Sequence, residues 1–282
     1  MTAISSELQG KQDVLLESLK GSGGLIVALS GGVDSSYLAW AAHHALGDQA
    51  LAVTAVSPSY PRAHREMVEL VVSQFGMSHR FVETREMERP DYRANGPDRC
   101  YHCKTELFVR LGEVAQAEGI GSIAYGVNTD DTSDFRPGHR AASEHDVLAP
   151  FLEANLSKSE IRALSRGVDL PTADLPASAC LSSRLPYGLE VTPERLRQIE
   201  EGEERLRELG FRQVRVRHHG ELARIEVDTR ELEKALAPAM AAAISAAIKP
   251  LGFRYVSLDL EGYRMGSLNE VLFIDRSGGQ RS

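Results

Sequence analysis

The stretch GLIVALSGGVDSSYLAWAAHHALG, Gly24 to Gly47, decides the fold. Its first part is a short unbroken apolar run bounded by glycines, which predicts a parallel strand covered on both faces. The remainder predicts a glycine-rich turn entering a helix that ends at Gly47. Gly31 and Gly32 let the backbone turn sharply off the strand, so that successive N–H groups and the helix N-terminus converge on an anion. Ser30, Ser35 and Ser36 add hydroxyl donors, while Asp34 either holds the loop or helps bind a metal ion. The pattern is neither GxGxxG nor GxxxxGK[ST].

Outward from this stretch the alternation repeats. A helix with Gln12, Leu15, Leu16 and Leu19 as its apolar side precedes it. LAVTAVS (51–57), HRFVET (79–84) and GSIAYGV (121–127) predict further strands. HREMVELVVSQFG (64–76) and CYHCKTELFVRLGEVAQAEG (100–119) predict helices, the second helical at least from Lys104. Arg85 to Asp98 reads as a loop and VLAPF (147–151) as a short additional strand. SKSEIRALSRG (157–167) reads as a helix opened by a capping box of Ser157 and Glu160. Such alternation predicts an α/β fold with a mostly parallel sheet and helices on both faces. Right-handed crossovers then bring the carboxyl ends of the strands to one edge.

After Pro186 the character changes. TPERLRQIEEGEERLRELG (192–210) predicts a charged amphipathic helix capped by Thr192, whose packing stripe Leu196, Ile199, Glu203, Leu206 is interrupted by one charge. RQVRVRHHG and ELARIEVD predict an antiparallel pair, followed by a helix from about Thr229 through the alanine-rich segment and a strand in FRYVSLDLEG. Two domains are expected, an α/β domain over 1–187 and a small α+β domain over 188–282. On the first strand of that pair Arg215 and Arg217 share one face and Val214 and Val216 the other, leaving an arginine face for an anionic substrate or for solvent. His218 and His219 point opposite ways and make no ready bidentate site.

Composition fits a globular chain of 282 residues, 42% apolar and 26% charged, and a net charge of -8 argues against a non-specific nucleic-acid coat. With no signal-peptide pattern at the start, and an alanine-rich segment too short and too weakly apolar to span a bilayer, a cytoplasmic protein without membrane contact is expected. Three cysteines do not make a disulfide framework. Cys100 and Cys103 have C-x-x-C spacing, which suits one metal or cluster, a redox disulfide, or an incidental pair. Cys180, in PASACLSSRLPYG (176–188), would complete three-point ligation of a [4Fe-4S] cluster, with zinc and His102 or His139 as the rival. GVNTDDTSDFRPG (126–138) offers Asn128, Asp130, Asp131, Asp134 and Arg136. Asp130 is the foremost candidate to hold Mg²⁺ against a triphosphate and Arg136 to bind a carboxylate or phosphate; capping of the loop is the alternative. AVSPSYP (55–61) leaves a strand edge where a nucleoside could lie.

The octapeptide LSGGVDSS resembles the pyrophosphate loop of the PP-loop ATP pyrophosphatases, the group of GMP and NAD synthetases, argininosuccinate synthetase and tRNA thiolases. The resemblance implies an adenine nucleotide hydrolase-like sheet and cleavage of ATP to AMP and pyrophosphate. SGGVDSS, CYHCK, GVNTDDTSDFRPG, PASACLSSRLPYG, RVRHHGELARIEV and GYRMGS together resemble the LarE family, ATP-dependent sulfur transferases of nickel-pincer cofactor biosynthesis, from about Gly24 to Ile274.

The second resemblance implies adenylation of a carboxylate of pyridinium-3,5-biscarboxylic acid mononucleotide and its conversion to a thiocarboxylate. Cys180 matches the cysteine that some members sacrifice for its sulfur, while Cys100 and Cys103 match members that carry a [4Fe-4S] cluster with sulfide on its open iron; the second type is favoured. The resemblance implies ATP and Mg²⁺ at Ser30, Gly31, Gly32, Asp34, Ser35, Ser36, Asp130 and Arg136, and catalysis by Cys180, Asp34, Ser183 and Arg184. It further implies contacts to the substrate phosphate at Arg217 and Arg264, metal ligation by Cys100, Cys103 and Cys180, and a metal or subunit-interface role for Glu226; Arg215, and Arg184 with a structural ion pair as its alternative, are substrate-binding candidates from their place in the sequence. Sulfide or an upstream sulfur donor and a homo-oligomer, a hexamer among the options, complete the expectation. A cluster-dependent tRNA thiolase and a non-catalytic ATP or iron–sulfur sensing module are the alternatives.

Overall fold

The computed structural model describes residues 5–133, 137–176 and 179–264. In chain order its elements are α1 Ser6–Lys20, β1 Leu25–Ala28, α2 Val33–Leu46, β2 Ala50–Val56, α3 Arg62–Phe75, β3 His79–Glu83, α4 Pro90–Arg93, α5 Arg99–Glu118 and β4 Ser122–Tyr125. Beyond β4 come α6 Pro137–Glu144, α7 Pro150–Glu153, α8 Lys158–Gly167, α9 Pro193–Glu208, β5 Val214–His219, β6 Leu222–Val227, α10 Leu232–Leu236, α11 Pro238–Ile248 and β7 Tyr255–Leu258. They fall into two compact units, one of Met1–Arg89 with Asp98–Ser178, the other of Pro90–Pro97 with the chain from Ala179 on.

The first unit is built on a parallel sheet in the order β3-β2-β1-β4. Alternate residues of β1 enter two cores. Leu25 and Val27 pack with α1, α2 and α8 through Leu15, Leu19, Tyr37, Leu38 and Ile161, whereas Ile26 packs with Phe108 and Leu111 of α5 and Ala141 of α6. Burial on both faces is why this strand is apolar at every position. The Ser157–Glu160 capping box opens α8. The strand expected at VLAPF reduces to a single bridge between Leu148 and Ala124, because Pro150 has no N–H to extend a ladder and opens the one-turn α7.

This strand order places the site. From β1 the chain winds outward through β2 to β3, then returns along α5 to β4 on the other side of β1. The connections leaving β1 and β4 therefore diverge, and the crevice beyond their carboxyl ends is a topological switch point, where open parallel sheets bind ligands.

The second unit holds a mixed sheet in the order β5-β6-β7, antiparallel between β5 and β6 and parallel between β6 and β7. Val214, Val216, Ala223, Ile225 and Val227 form an apolar face with Leu206 of α9 and Ile244 and Ile248 of α11. The helix expected from Thr229 is broken at Ala237, and α11 restarts at Pro238, which lacks the N–H an interior position needs and suits a first turn. The α/β class with a smaller α+β part is thus the observed architecture. Among the described residues, no helix is long and apolar enough to cross a membrane.

Candidate active site

In the first unit, β1 ends in the loop Leu29–Gly32 and α2 starts at Val33 without a side-chain cap on Gly32. The first-turn N–H groups of α2 thus lack a capping side chain and the helix dipole adds positive potential there. Gly31 has φ +84, and a Cβ on it would lie 2.8 Å from the carbonyl oxygen of His64 on α3. Glycine is therefore required twice over, by conformation and by close approach. The Ser35 hydroxyl accepts the Ser30 N–H at 3.1 Å, donates to the Gly32 carbonyl at 3.1 Å and lies 3.0 Å from the Ser30 hydroxyl. Ser36 is buried, and its hydroxyl has no hydrogen-bond partner among the described residues.

The opposite wall comes from the end of β4 and the start of α8. A Cβ on Gly126 would stand 2.9 Å from the Asp34 carbonyl carbon and the Ser35 nitrogen, so this glycine lets two backbones touch. Asn128 Nδ2 donates to Asp34 Oδ1 at 3.4 Å, and the Lys158 ammonium pairs with Asp34 Oδ2. Burial pushes the Asp34 carboxyl above its ordinary 3.8, against the opposing pull of Lys158. Asp130 Oδ2 accepts the Lys158 backbone N–H at 3.0 Å, and Asp131 Oδ2 accepts that of Asn128 at 3.2 Å. Sequence reasoning treated Lys158 only as the residue after a helix cap; nothing local marks it as the partner of an aspartate 124 positions away. Arg136 lies outside the described residues.

At the expected nucleoside edge, the Tyr60 hydroxyl donates to the Ser30 carbonyl at 3.1 Å and the Ser59 hydroxyl to Glu86 Oε1 at 3.3 Å. The loop after β2 is thereby tied to the phosphate loop.

In the second unit, Cys180 is half-buried and precedes a 3₁₀ turn over Leu181–Arg184. Ser183 donates to the Cys180 carbonyl from its N–H at 3.0 Å and its hydroxyl at 2.8 Å. Ser182 is buried, its hydroxyl 2.6 Å from that of Tyr92. Arg184 is buried and forms a two-pronged ion pair with Glu203, Nε to Oε1 at 2.9 Å and Nη2 to Oε2 at 3.1 Å. Burial would raise Glu203, but Arg184, with Arg215 and Arg207 behind it, outweighs that and holds the carboxyl below its ordinary range. The charge inside the stripe Leu196, Ile199, Glu203, Leu206 was the signal for this pair, because a carboxylate on a packing face needs a buried partner.

Arg215 and Arg217 do share a sheet face, with Arg224 and Glu226 opposite them on β6. That face is not left open: Arg215 is 7% exposed and Arg217 6%. Arg217 Nη2 donates to Glu226 Oε2 at 2.7 Å and Nη1 to the Ser183 carbonyl at 3.0 Å. Burial, and then the neighbouring charge of Arg184, push Arg215 below its usual range. Arg264 pairs with Glu261 at 2.7 Å. His218 is a buried structural residue, its Nε2 2.9 Å from Gln198 Oε1.

The metal expectation is overturned. Among the described residues there is no group of three or more His, Cys, Asp or Glu side chains that could hold a metal ion. Cys100 and Cys103 stand three positions apart at the start of α5, two donors where a cluster needs at least three protein ligands. Glu226 is fully buried, and its oxygens accept from Arg217 and from Arg224 at 3.1 Å. The three-cysteine [4Fe-4S] type expected from the resemblance is therefore corrected, and with it the iron–sulfur, zinc, metal-binding and nickel-pincer assignments that it carried.

Comparison with known proteins bears on the remainder. No protein-family model matches the sequence. The chain is 43% identical to an uncharacterized protein of Synechocystis over 88% of this chain and 92% of that one. It is 32% identical to the pyridinium-3,5-bisthiocarboxylic acid mononucleotide synthase of Lactiplantibacillus plantarum over 94% of this chain and 96% of that one. A glutamine-hydrolyzing GMP synthase component of Archaeoglobus fulgidus is 29% identical over 62% of this chain and 61% of its own length. The uncapped glycine loop at the switch point of a parallel sheet, and identity to the synthase along nearly the whole chain, agree: the chain belongs to the PP-loop ATP-pyrophosphatase superfamily, in the family of the pyridinium-3,5-bisthiocarboxylic acid mononucleotide synthase.

Proposed function

We propose that the chain uses ATP to adenylate a carboxylate of pyridinium-3,5-biscarboxylic acid mononucleotide, releases pyrophosphate, and replaces the activated oxygen with sulfur to give a thiocarboxylate. The observation that carries this reading is the presence in one chain of an uncapped phosphate loop and a cysteine on a turn held by Arg184 and Arg217, in a sequence aligned nearly end to end with the Lactiplantibacillus synthase. A carboxylate is a poor electrophile, whereas its mixed anhydride with AMP has a good leaving group. The N–H groups of the Ser30–Ser35 loop and the dipole of α2 suit the β- and γ-phosphates that depart together. Lys158 adds a cation beside Asp34. Mg²⁺ would enter with the triphosphate, on Asp34 or Asp130 together with phosphate oxygens.

Cys180 supplies the sulfur. Its thiolate attacks the acyl carbon, AMP leaves with the electron pair of the acyl–oxygen bond, and a cysteinyl thioester forms. Removal of the Cα proton and cleavage of the Cβ–Sγ bond then release the thiocarboxylate and leave dehydroalanine at position 180. The test is to incubate the protein with ATP, Mg²⁺ and the mononucleotide, then follow pyrophosphate, product and intact protein mass. Thiocarboxylate in step with protein lighter by the mass of hydrogen sulfide is expected; an unchanged carboxylate, or product formed by protein of unchanged mass, would refute the reading.

A further inference from the structure

We propose that Arg184, oriented by Glu203, is a positioning residue that fixes the main chain of Cys180 for sulfur transfer, and is not a group that binds the mononucleotide. The inference rests on the reaction proposed above for Cys180. A guanidinium has five N–H donors in a planar fork. Arg184 commits Nε and Nη2 to the two oxygens of Glu203, and this aims Nη1 at the turn that carries the thiol. Nη1 donates to the Ala179 carbonyl at 2.7 Å, the Cys180 carbonyl at 3.0 Å and the Ser183 hydroxyl at 3.0 Å. With 1% of its surface exposed, the side chain has no open face for a phosphate or carboxylate.

The same turn is held at its other end by a second pair, since Arg217, fixed by Glu226, donates to the Ser183 carbonyl. Both peptide carbonyls flanking the Cys180 Cα are thus tied to a guanidinium that is itself locked by a buried carboxylate. Such a pair is a poor way to gain stability, because apolar residues of similar volume commonly serve as well. It is an effective way to fix a nucleophile, for which displacement by an ångström costs roughly a hundredfold in rate.

The experiment uses the full chain with Arg184→Met/Glu203→Leu, which removes both charges together, and with Arg184→Lys, which keeps the cation. Pyrophosphate release, the single-turnover rate of thiocarboxylate formation and its half-saturating mononucleotide concentration are measured for each. We expect pyrophosphate release and half-saturation as in the unaltered protein, a transfer rate lower by about a hundredfold in the double variant, and partial recovery in Arg184→Lys. Transfer at the original rate in the double variant, or an effect confined to half-saturation, would overturn the proposal. Amide hydrogen exchange of 179–185 gives a readout independent of turnover, since the Ser183 N–H bonds the Cys180 carbonyl and the Leu185 N–H that of Ser182. Faster exchange confined to that segment in Arg184→Lys supports positioning, and unchanged exchange refutes it, even if the double variant does not fold. Should the unaltered protein make no thiocarboxylate, the proposed reaction fails while the exchange measurement still decides this one.

Discussion

Replacing Gly31 by alanine tests the account of the phosphate loop against an internal control one residue away. Gly31 has φ +84, where an L residue costs roughly 1–2 kcal/mol. Its Cβ would also meet the His64 carbonyl oxygen at 2.8 Å and a Val68 methyl at 3.3 Å, and the former is backbone that cannot rotate away. Overpacking of that kind adds about 1–3 kcal/mol, so a loss of about 2–5 kcal/mol is expected. Gly32 has φ -84 and ψ 162, which any residue adopts, and its Cβ would meet nothing nearer than the Ser30 hydroxyl at 3.7 Å. Gly32→Ala should therefore cost no more than about 0.5–1 kcal/mol, the difference between alanine and glycine at an N-cap. The assay is urea denaturation of both variants beside calorimetric titration with a non-hydrolysable ATP analogue. The decisive result is the contrast: Gly31→Ala loses both stability and nucleotide affinity, while Gly32→Ala keeps most of its stability. Equal tolerance at both positions would refute the idea that close approach to α3 shapes this loop.

Four further outcomes are expected. Cys180→Ala should retain ATP- and mononucleotide-dependent pyrophosphate release but form no thiocarboxylate, measured on the same samples. Arg217→Met removes one guanidinium partner from the fully buried Glu226 and leaves Arg224 beside it, and should cost about 3 kcal/mol in chemical denaturation, the low end for breaking a buried pair. Because the folded-state pKa of Asp34 lies above 3.8, the native state binds the extra proton, so its contribution to stability declines as pH rises from 3.8 to that raised value. Asp34→Asn should remove this slope and Lys158→Met should carry it to higher pH, read from denaturation midpoints in a pH series. Burial holds His218 down to about 4, below its ordinary 6.5, so the stability it lends is complete above 6.5 and is lost as pH falls towards 4; His218→Gln should flatten that limb.

The parts legible in the sequence are those fixed by neighbours along the chain. The apolar run before Gly31 gave a strand, the glycines a turn and the alternation a parallel sheet, because these depend on local conformation and on period. The Ser157–Glu160 box and the valine and arginine faces of β5 were read for the same reason. Where reading stopped short, the missing information was a distant partner. An arginine two positions from another on a strand is equally compatible with solvent, a substrate phosphate and a buried carboxylate, and Arg217 took the last. Cysteine spacing was over-read: two thiols a helical turn apart resemble half a ligand set, yet ligation needs the other half brought to the same point.

By itself, then, the sequence determined that a strand, a glycine turn and a helix N-terminus follow one another, since each of these is set by residues within a few positions of one another. Only the tertiary structure decided which charges face each other: Lys158 with Asp34 across 124 residues, Glu203 with Arg184, Glu226 with Arg217. A side chain's charge can be read from its letter, but its partner and its burial follow from how distant elements pack, and those decide whether a guanidinium binds a ligand or holds a loop in place.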